Sequence, residues 1–206
     1  MITDVTGVLL AGGKSRRMGE DKRFLHVGER TLLESGLEVL RSVFQEILII
    51  IAQDSPELAA DAPVIRDLVP DCGSLGGLYT GLKEATTDDI FVAACDMPFL
   101  DSKTIRYFVD LRGDADVAMA NFRNQLHPMH ALYSRRCLSV IEGMIAAGQL
   151  KIQDMLRHPS LRVRIVTEVD LKAIDPDGRS FRNVNTPADL EAARSFIHRK
   201  TDAPSH

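Results

Sequence analysis

A short apolar strand that runs into paired glycines and then into a cluster of cations limits this chain more than any other feature. Val8-Leu9-Leu10 feeds Ala11-Gly12-Gly13, and Lys14, Arg16, Arg17 and Lys22 fall within the next nine residues. Glycine has no Cβ, so the backbone there can turn sharply and bring its N–H groups close to an anion. Cations just beyond such a turn suit a nucleotide whose phosphates must be neutralised. A solvated basic loop is the plainer alternative, but it leaves the glycine pair after a buried-type strand unexplained.

The same stretch comes within one residue of a Walker loop. The pattern G-x-x-x-x-G-K-[ST] would end on Gly13-Lys14-Ser15 and open at position 8, which is Val8, with Gly7 one place early. Each glycine of that nest has its own backbone role, so a P-loop NTPase is the weakened rival from a different class.

The cations are local, not global. Lys and Arg number 25 against 29 Asp and Glu, a net charge of −4. That balance gives no electrostatic case for nucleic acid or an anionic membrane, and points to a small anionic ligand near residues 14–23. Cys72, Cys95 and Cys137 form no C-x-x-C pair, as expected of reduced thiols. The first residues lack a cationic leader pattern, and the apolar run at 7–11 is too short for a membrane span. A cytoplasmic location is the expectation.

Hydrophobic periodicity organises the rest. Val8–Leu10 reads as a buried strand, and residues 31–44 carry leucines at helical spacing. Ile47–Ile51 is a continuously apolar strand, as expected where both sheet faces are covered. Val64-Ile65 is a short strand, Gly76–Thr86 a helix entered through Gly73–Gly77, and Ile90–Ala94 a strand ending at Cys95-Asp96. Ser102 caps a helix to about Leu111. Strands follow at 117–120, 129–133 and 163–166, with helices at 136–147, from Ile152, and from beyond Pro187 to Ile197. The alternation predicts an α/β fold with a mostly parallel, doubly wound sheet flanked by helices. One domain, 1–198, would be followed by a mobile tail, 199–206.

Several side chains stand where such a sheet binds ligands. Asp96 ends an apolar strand opposite the glycine loop, which suits magnesium shared with phosphate oxygens; a turn or capping aspartate is the alternative. Asp67 follows Val64-Ile65-Arg66 and could accept hydrogen bonds from a base or ribose, or be an ordinary loop residue. Asn183 and Asn185 alternate on one face of an extended segment, and helix capping by Thr186 does not account for them. His127 and His130, three apart along a strand, should not share a face, which argues against their ligating a metal.

Together these residues resemble a known family. Leu10-Ala11-Gly12-Gly13-Lys14-Ser15-Arg16-Arg17-Met18-Gly19-x-Asp21-Lys22 is similar to the signature of the molybdenum cofactor guanylyltransferases, nucleotidyltransferases with a Rossmann-like, glycosyltransferase-A type fold. Val64-Ile65-x-Asp67, Gly73–Gly77, Cys95-Asp96-x-Pro98, His127-Pro128 and Asn183-Val184-Asn185-Thr186-Pro187 recur there in the same order. The resemblance implies transfer of GMP from GTP to molybdopterin, with magnesium as cofactor and pyrophosphate as the other product. It also implies contact with proteins that deliver or receive the cofactor. By position, Leu10, Ala11 and Gly12 would bind nucleotide through backbone, Asp67 through the nucleoside and Lys22 through phosphate. Arg17, Lys22 and Asp96 would be catalytic, Asp96 the metal ligand, and Asn183 and Asn185 would bind the pterin. On that assignment Asn185→Ala weakens molybdopterin binding and spares GTP. Where some members carry an asparagine after the second strand, this chain has Ile50-Ile51-Ala52-Gln53, which leaves a CTP-dependent molybdopterin cytidylyltransferase, or a transferase for a sugar or polyol phosphate, as near alternatives. A module that binds molybdopterin without chemistry is a further one.

Overall fold

The computed structural model describes residues 1–12 and 21–201. Its core is a seven-stranded sheet. In chain order the strands and helices are β1 (Val5–Leu10), the short hairpin β2 (His26–Val27) and β3 (Arg30–Thr31), α1 (Leu32–Val43), β4 (Ile47–Ile51), β5 (Val64–Arg66), α2 (Gly73–Glu84), β6 (Asp89–Ala94), α3 (Ser102–Asp110), β7 (Val117–Phe122), β8 (Gln125–Ser134), α4 (Leu138–Ala146), β9 (Val163–Thr167), α5 (Glu168–Leu171) and α6 (Pro187–Thr201). The sheet runs β5-β4-β1-β6-β8-β7-β9. Every strand in it is parallel to β1 except β8, which is antiparallel to both its neighbours.

The apolar strands are continuous because each face is covered. Leu9, Ile49, Phe91 and Ala93 point toward α1 and α3, where Leu37, Leu40, Ile105 and Phe108 meet them. Val8, Leu48, Ile90 and Val92 point the other way, onto Leu78 and Leu82 of α2 and Ile141 of α4. A third, smaller cluster joins Val27, Leu32, Val184 and Leu190, and so fastens α6 and the β2–β3 hairpin beside the sheet's ligand-binding edge.

Local signals explain most boundaries. Thr31 and Glu34 form a reciprocal capping box at the start of α1. Asp101, not the expected Ser102, caps α3: its Oδ2 accepts from the Thr104 backbone at 2.9 Å. α2 starts at Gly73, three residues before the expected Gly76. The segment from Ile152 is a 3-10 turn, not a full helix. α6 continues to Thr201, past the expected end at Ile197. Residues 202–206 of the expected tail lie outside the described residues, as does the stretch 13–20 with Arg17.

One expectation about side-chain direction is overturned. β8 begins at Gln125, and its pairing with β7 jumps from Met119↔Ala131 to Ala120↔His127, which leaves residues 128–130 as an insertion in the ladder. That irregularity turns both imidazoles toward Phe181, with ring centroids at 4.9 Å for His127 and 4.7 Å for His130. His130 is wholly enclosed, also against Phe91 and Phe108, and burial pushes its pKa down to about 3. It is a neutral core histidine. Among the described residues, no three His, Cys, Asp or Glu side chains converge as in an all-protein metal cage.

Candidate active site

The chain runs from β1 outward to β4 and β5, then returns to β6 on the other side of β1. Open α/β sheets bind ligands beyond the carboxyl ends of the strands at such a reversal. Here those ends are laced together past the strands themselves. Ala11 N–H donates to Ile50 O at 2.8 Å, Cys95 N–H to Leu10 O at 3.1 Å and Asp67 N–H to Ile51 O at 2.8 Å. Gly12 lies so close to the β4 end that a Cβ on it would sit 2.7 Å from the Ala52 nitrogen. Only glycine fits that approach.

A cavity of about 240 Å³ opens over this edge. Leu10, Ala11, Gly12, Lys22, Asp67 and Asp96 all line it, so every described residue assigned to nucleotide is brought together, including partners 85 positions apart. Gly73 and Ser74 at the start of α2 also face it, which places backbone N–H groups at a helix N-terminus on the cavity wall.

Asp96 follows directly from β6. Its Oδ2 is 3.6 Å from Lys22 Nζ, and its Oδ1 is buried with no hydrogen-bond partner among the described residues. Burial raises the Asp96 pKa, and the Lys22 ammonium only partly offsets this. A buried carboxylate oxygen without a partner is costly, so the atom fits a cation ligand.

Lys22 owes its position to its neighbours. Asp21 caps the 3-10 turn Lys22–Phe24 and holds Arg23 bidentately, at 2.9 Å to Nε and 2.5 Å to Nη2. Arg23 is 5 % exposed, so its side chain is buried beneath the turn. No sequence signal had singled Arg23 out, because its partner is only two residues away and looks like ordinary local charge.

The asparagine segment crosses from the other side. Val184 N–H donates to the Asp96 carbonyl at 2.8 Å, and Val184 is buried while Asn183 and Asn185 are exposed. Their alternation is therefore real. Asn185 Oδ1, however, accepts from Lys22 Nζ at 2.9 Å. This bond joins the asparagine segment to the lysine that lines the cavity over β1 and β6. Thr186 and Asp189 close the start of α6, with Asp189 N–H donating to Thr186 Oγ1 at 3.2 Å and Thr186 N–H to Asp189 Oδ2 at 2.8 Å.

A second cavity, of about 600 Å³, lies beyond Asn183 and Asn185. Phe122 and Phe181 form its aromatic wall, stacked at 5.9 Å, with Arg123, Gln125 and His127 beside them. Asn183 lines both cavities, so the two meet next to the Lys22–Asp96 pair.

Asp67 is half-buried, and desolvation lifts its pKa to about 6, against which a bond from Thr80 Oγ1 at 3.2 Å stabilises the carboxylate. If its carboxylate accepts from the nucleoside, nucleotide affinity falls as pH drops through about 6. The expected loss is about tenfold between pH 7 and 5. Stability should move the other way, because the folded state binds the proton more readily than the unfolded chain: Asp67 adds stability as pH falls from about 6 to the ordinary carboxylate range. Titration of Asp67→Asn in parallel cancels protonation of the nucleotide itself. A variant with the parent's pH dependence excludes the role.

A switch-point cavity with a lysine–carboxylate pair beside the close-packed Gly12 is the arrangement of a nucleotidyltransferase-type α/β domain. Residues 7–163 match the MobA-like NTP transferase domain, and the chain belongs to that family. It is 38% identical over 189 residues to the probable molybdenum cofactor guanylyltransferase of Pelotomaculum thermopropionicum, covering 92% of this chain and 91% of that one. With the molybdenum cofactor guanylyltransferase of Desulfosudis oleivorans it is 36% identical, across 94% and 96% of the two chains. Among solved structures, the molybdopterin-guanine dinucleotide biosynthesis protein A of Archaeoglobus fulgidus superposes with a TM-score of 0.82 at 25% identity, over 95% of this chain and all of that one (100%). A Methanothermobacter nucleotidyl transferase shares the fold, with a TM-score of 0.74 at 20% identity over 95% and 98% of the chains. Among the described residues, no helix is long and apolar enough to cross a membrane.

Proposed function

We propose that this chain transfers GMP from GTP to the terminal phosphate of molybdopterin, releasing pyrophosphate. The observation that carries the reading is the Lys22–Asp96–Asn185 cluster at the junction of two cavities, one over the strand ends at the sheet's reversal and one walled by aromatic rings. The relatives named molybdenum cofactor guanylyltransferase supply the identity of the two substrates.

Nucleotide occupies the cavity over β1 and β6, with backbone at Leu10, Ala11 and Gly12 against it and Asp67 accepting from the nucleoside. The acceptor phosphate attacks the α-phosphorus, and the bond from that phosphorus to pyrophosphate breaks. Both reactants are anions, so the protein's task is alignment and charge neutralisation. Lys22 supplies a positive charge between the cavities, held there by Asn185 and by the Asp21-capped turn. Arg17 would add another from the stretch outside the described residues. The attacking phosphate is ionised at neutral pH, so no side chain has to act as general base. Asp96 Oδ1 would hold magnesium, which supplies further charge neutralisation at the phosphates. Asn183 and the Phe122–Phe181 wall take the acceptor. The surroundings of this chemistry, a cytoplasmic enzyme that exchanges molybdopterin with delivery proteins and target enzymes, belong to the same proposal.

The test is pyrophosphate release from each of the four common nucleoside triphosphates, with and without molybdopterin. GTP-selective, acceptor-dependent release supports the reading. CTP selectivity would move the chain to the cytidylyl branch, acceptor-independent phosphate release would favour an NTPase, and binding without release would leave a carrier.

A further inference from the structure

We propose that Arg123 is a recognition residue for the acceptor and binds an anionic group of it at the hairpin end of the second cavity. The proposal rests on the reading of that cavity as the acceptor's. It starts from a residue in the wrong place. β7 and β8 are joined by a two-residue turn in which Phe122 pairs with Gln125, and both central residues have positive φ, 52° at Arg123 and 58° at Asn124. That is the type I′ pattern, which favours Asn, Asp or Gly at both positions. Asn124 satisfies the rule. Arg123 does not, since a long side chain in the left-handed region is disfavoured by its Cβ.

The surroundings impose this conformation instead of relieving it. Glu168, in the first turn of α5, accepts the Arg123 backbone N–H at 2.6 Å and fixes the turn. The side chain is then laid along the cavity wall, with its guanidinium 5.5 Å from the Phe122 ring centroid. Phe122 in turn stacks on Phe181, which carries His127 on its other contacts. Arg182 lines the same cavity, so a second basic residue borders the space this wall faces. Strained residues that persist inside an over-determined setting concentrate at ligand sites. A forked cation on an aromatic wall suits a planar ligand bearing negative charge.

Arg123→Asn separates the role from the strain. The substitution restores a favoured turn residue, so the variant should melt at or above the parent temperature. Its KM for molybdopterin should rise about tenfold, the loss of one charge-assisted contact, with kcat and the KM for GTP as in the parent. Arg123→Lys, which keeps a point charge without the fork, should fall between the two. An unchanged acceptor KM overturns the proposal, as does an equal rise for both substrates. A clear drop in melting temperature also overturns it, since the arginine would then serve packing on Phe122. Parent protein that releases no pyrophosphate from any nucleotide removes the functional reading and this inference with it; normal parent turnover beside an unaltered variant removes this inference alone.

Discussion

Asp96→Asn is expected to fold normally and to lose about a hundredfold or more in turnover, the scale of removing one group that stabilises developing charge in a closed site. The carboxylate sits at the end of β6 with one oxygen 3.6 Å from Lys22 Nζ and the other buried without a partner among the described residues. An amide of the same shape keeps the packing but is a poor ligand for magnesium beside phosphates. Stability gives an independent check. Burial raises the Asp96 pKa, so the ionised group opposes folding at neutral pH, and the opposition fades as pH falls through the folded-state value. The variant should therefore match or exceed the parent in melting temperature at pH 7 and converge with it in acid. Wild-type turnover by folded Asp96→Asn at the same magnesium concentration would end the metal assignment.

How much of this site could be read from the chain depended on whether the information was local. The strands β1, β4 and β6 were legible because helices on both faces demand unbroken apolar runs. The gathering of Asp67, Asp96 and Gly12 around one cavity was legible because a parallel sheet brings its strand ends to one edge. The β7–β8 hairpin was not. Arg123-Asn124 lacks a glycine, and the insertion at residues 128–130 breaks the alternation from which the facing of His127 and His130 would be inferred. The start of α3 was missed by one residue because Asp101 and Ser102 are both good caps, and only the Thr104 contact distinguishes them. The pairing of Lys22 with Asn185 spans 163 residues, and no spacing rule reaches that far.

That long-range pair governs the second large effect. Lys22→Ala is expected to reduce kcat/KM for the nucleotide by about 10- to 100-fold, the equivalent of about 1.5–3 kcal/mol for a hydrogen bond to a charged group. Lys14→Ala should cost less, since Lys14 occupies the Walker position that the glycine spacing does not support. Asn185→Ala should also weaken nucleotide turnover, by a smaller factor, because Asn185 Oδ1 accepts from Lys22 Nζ at 2.9 Å and helps hold it between the cavities. The coupling can be measured. Residues that share one hydrogen bond are not additive, so Asn185→Ala made on the Lys22→Ala background should leave nucleotide kinetics almost unchanged. Any loss in molybdopterin affinity that persists on that background is then the part Asn185 owes to the acceptor directly. Additive losses on the nucleotide side would show that Asn185 does not act through Lys22, and greater damage from Lys14→Ala than from Lys22→Ala would return the chain to the P-loop class.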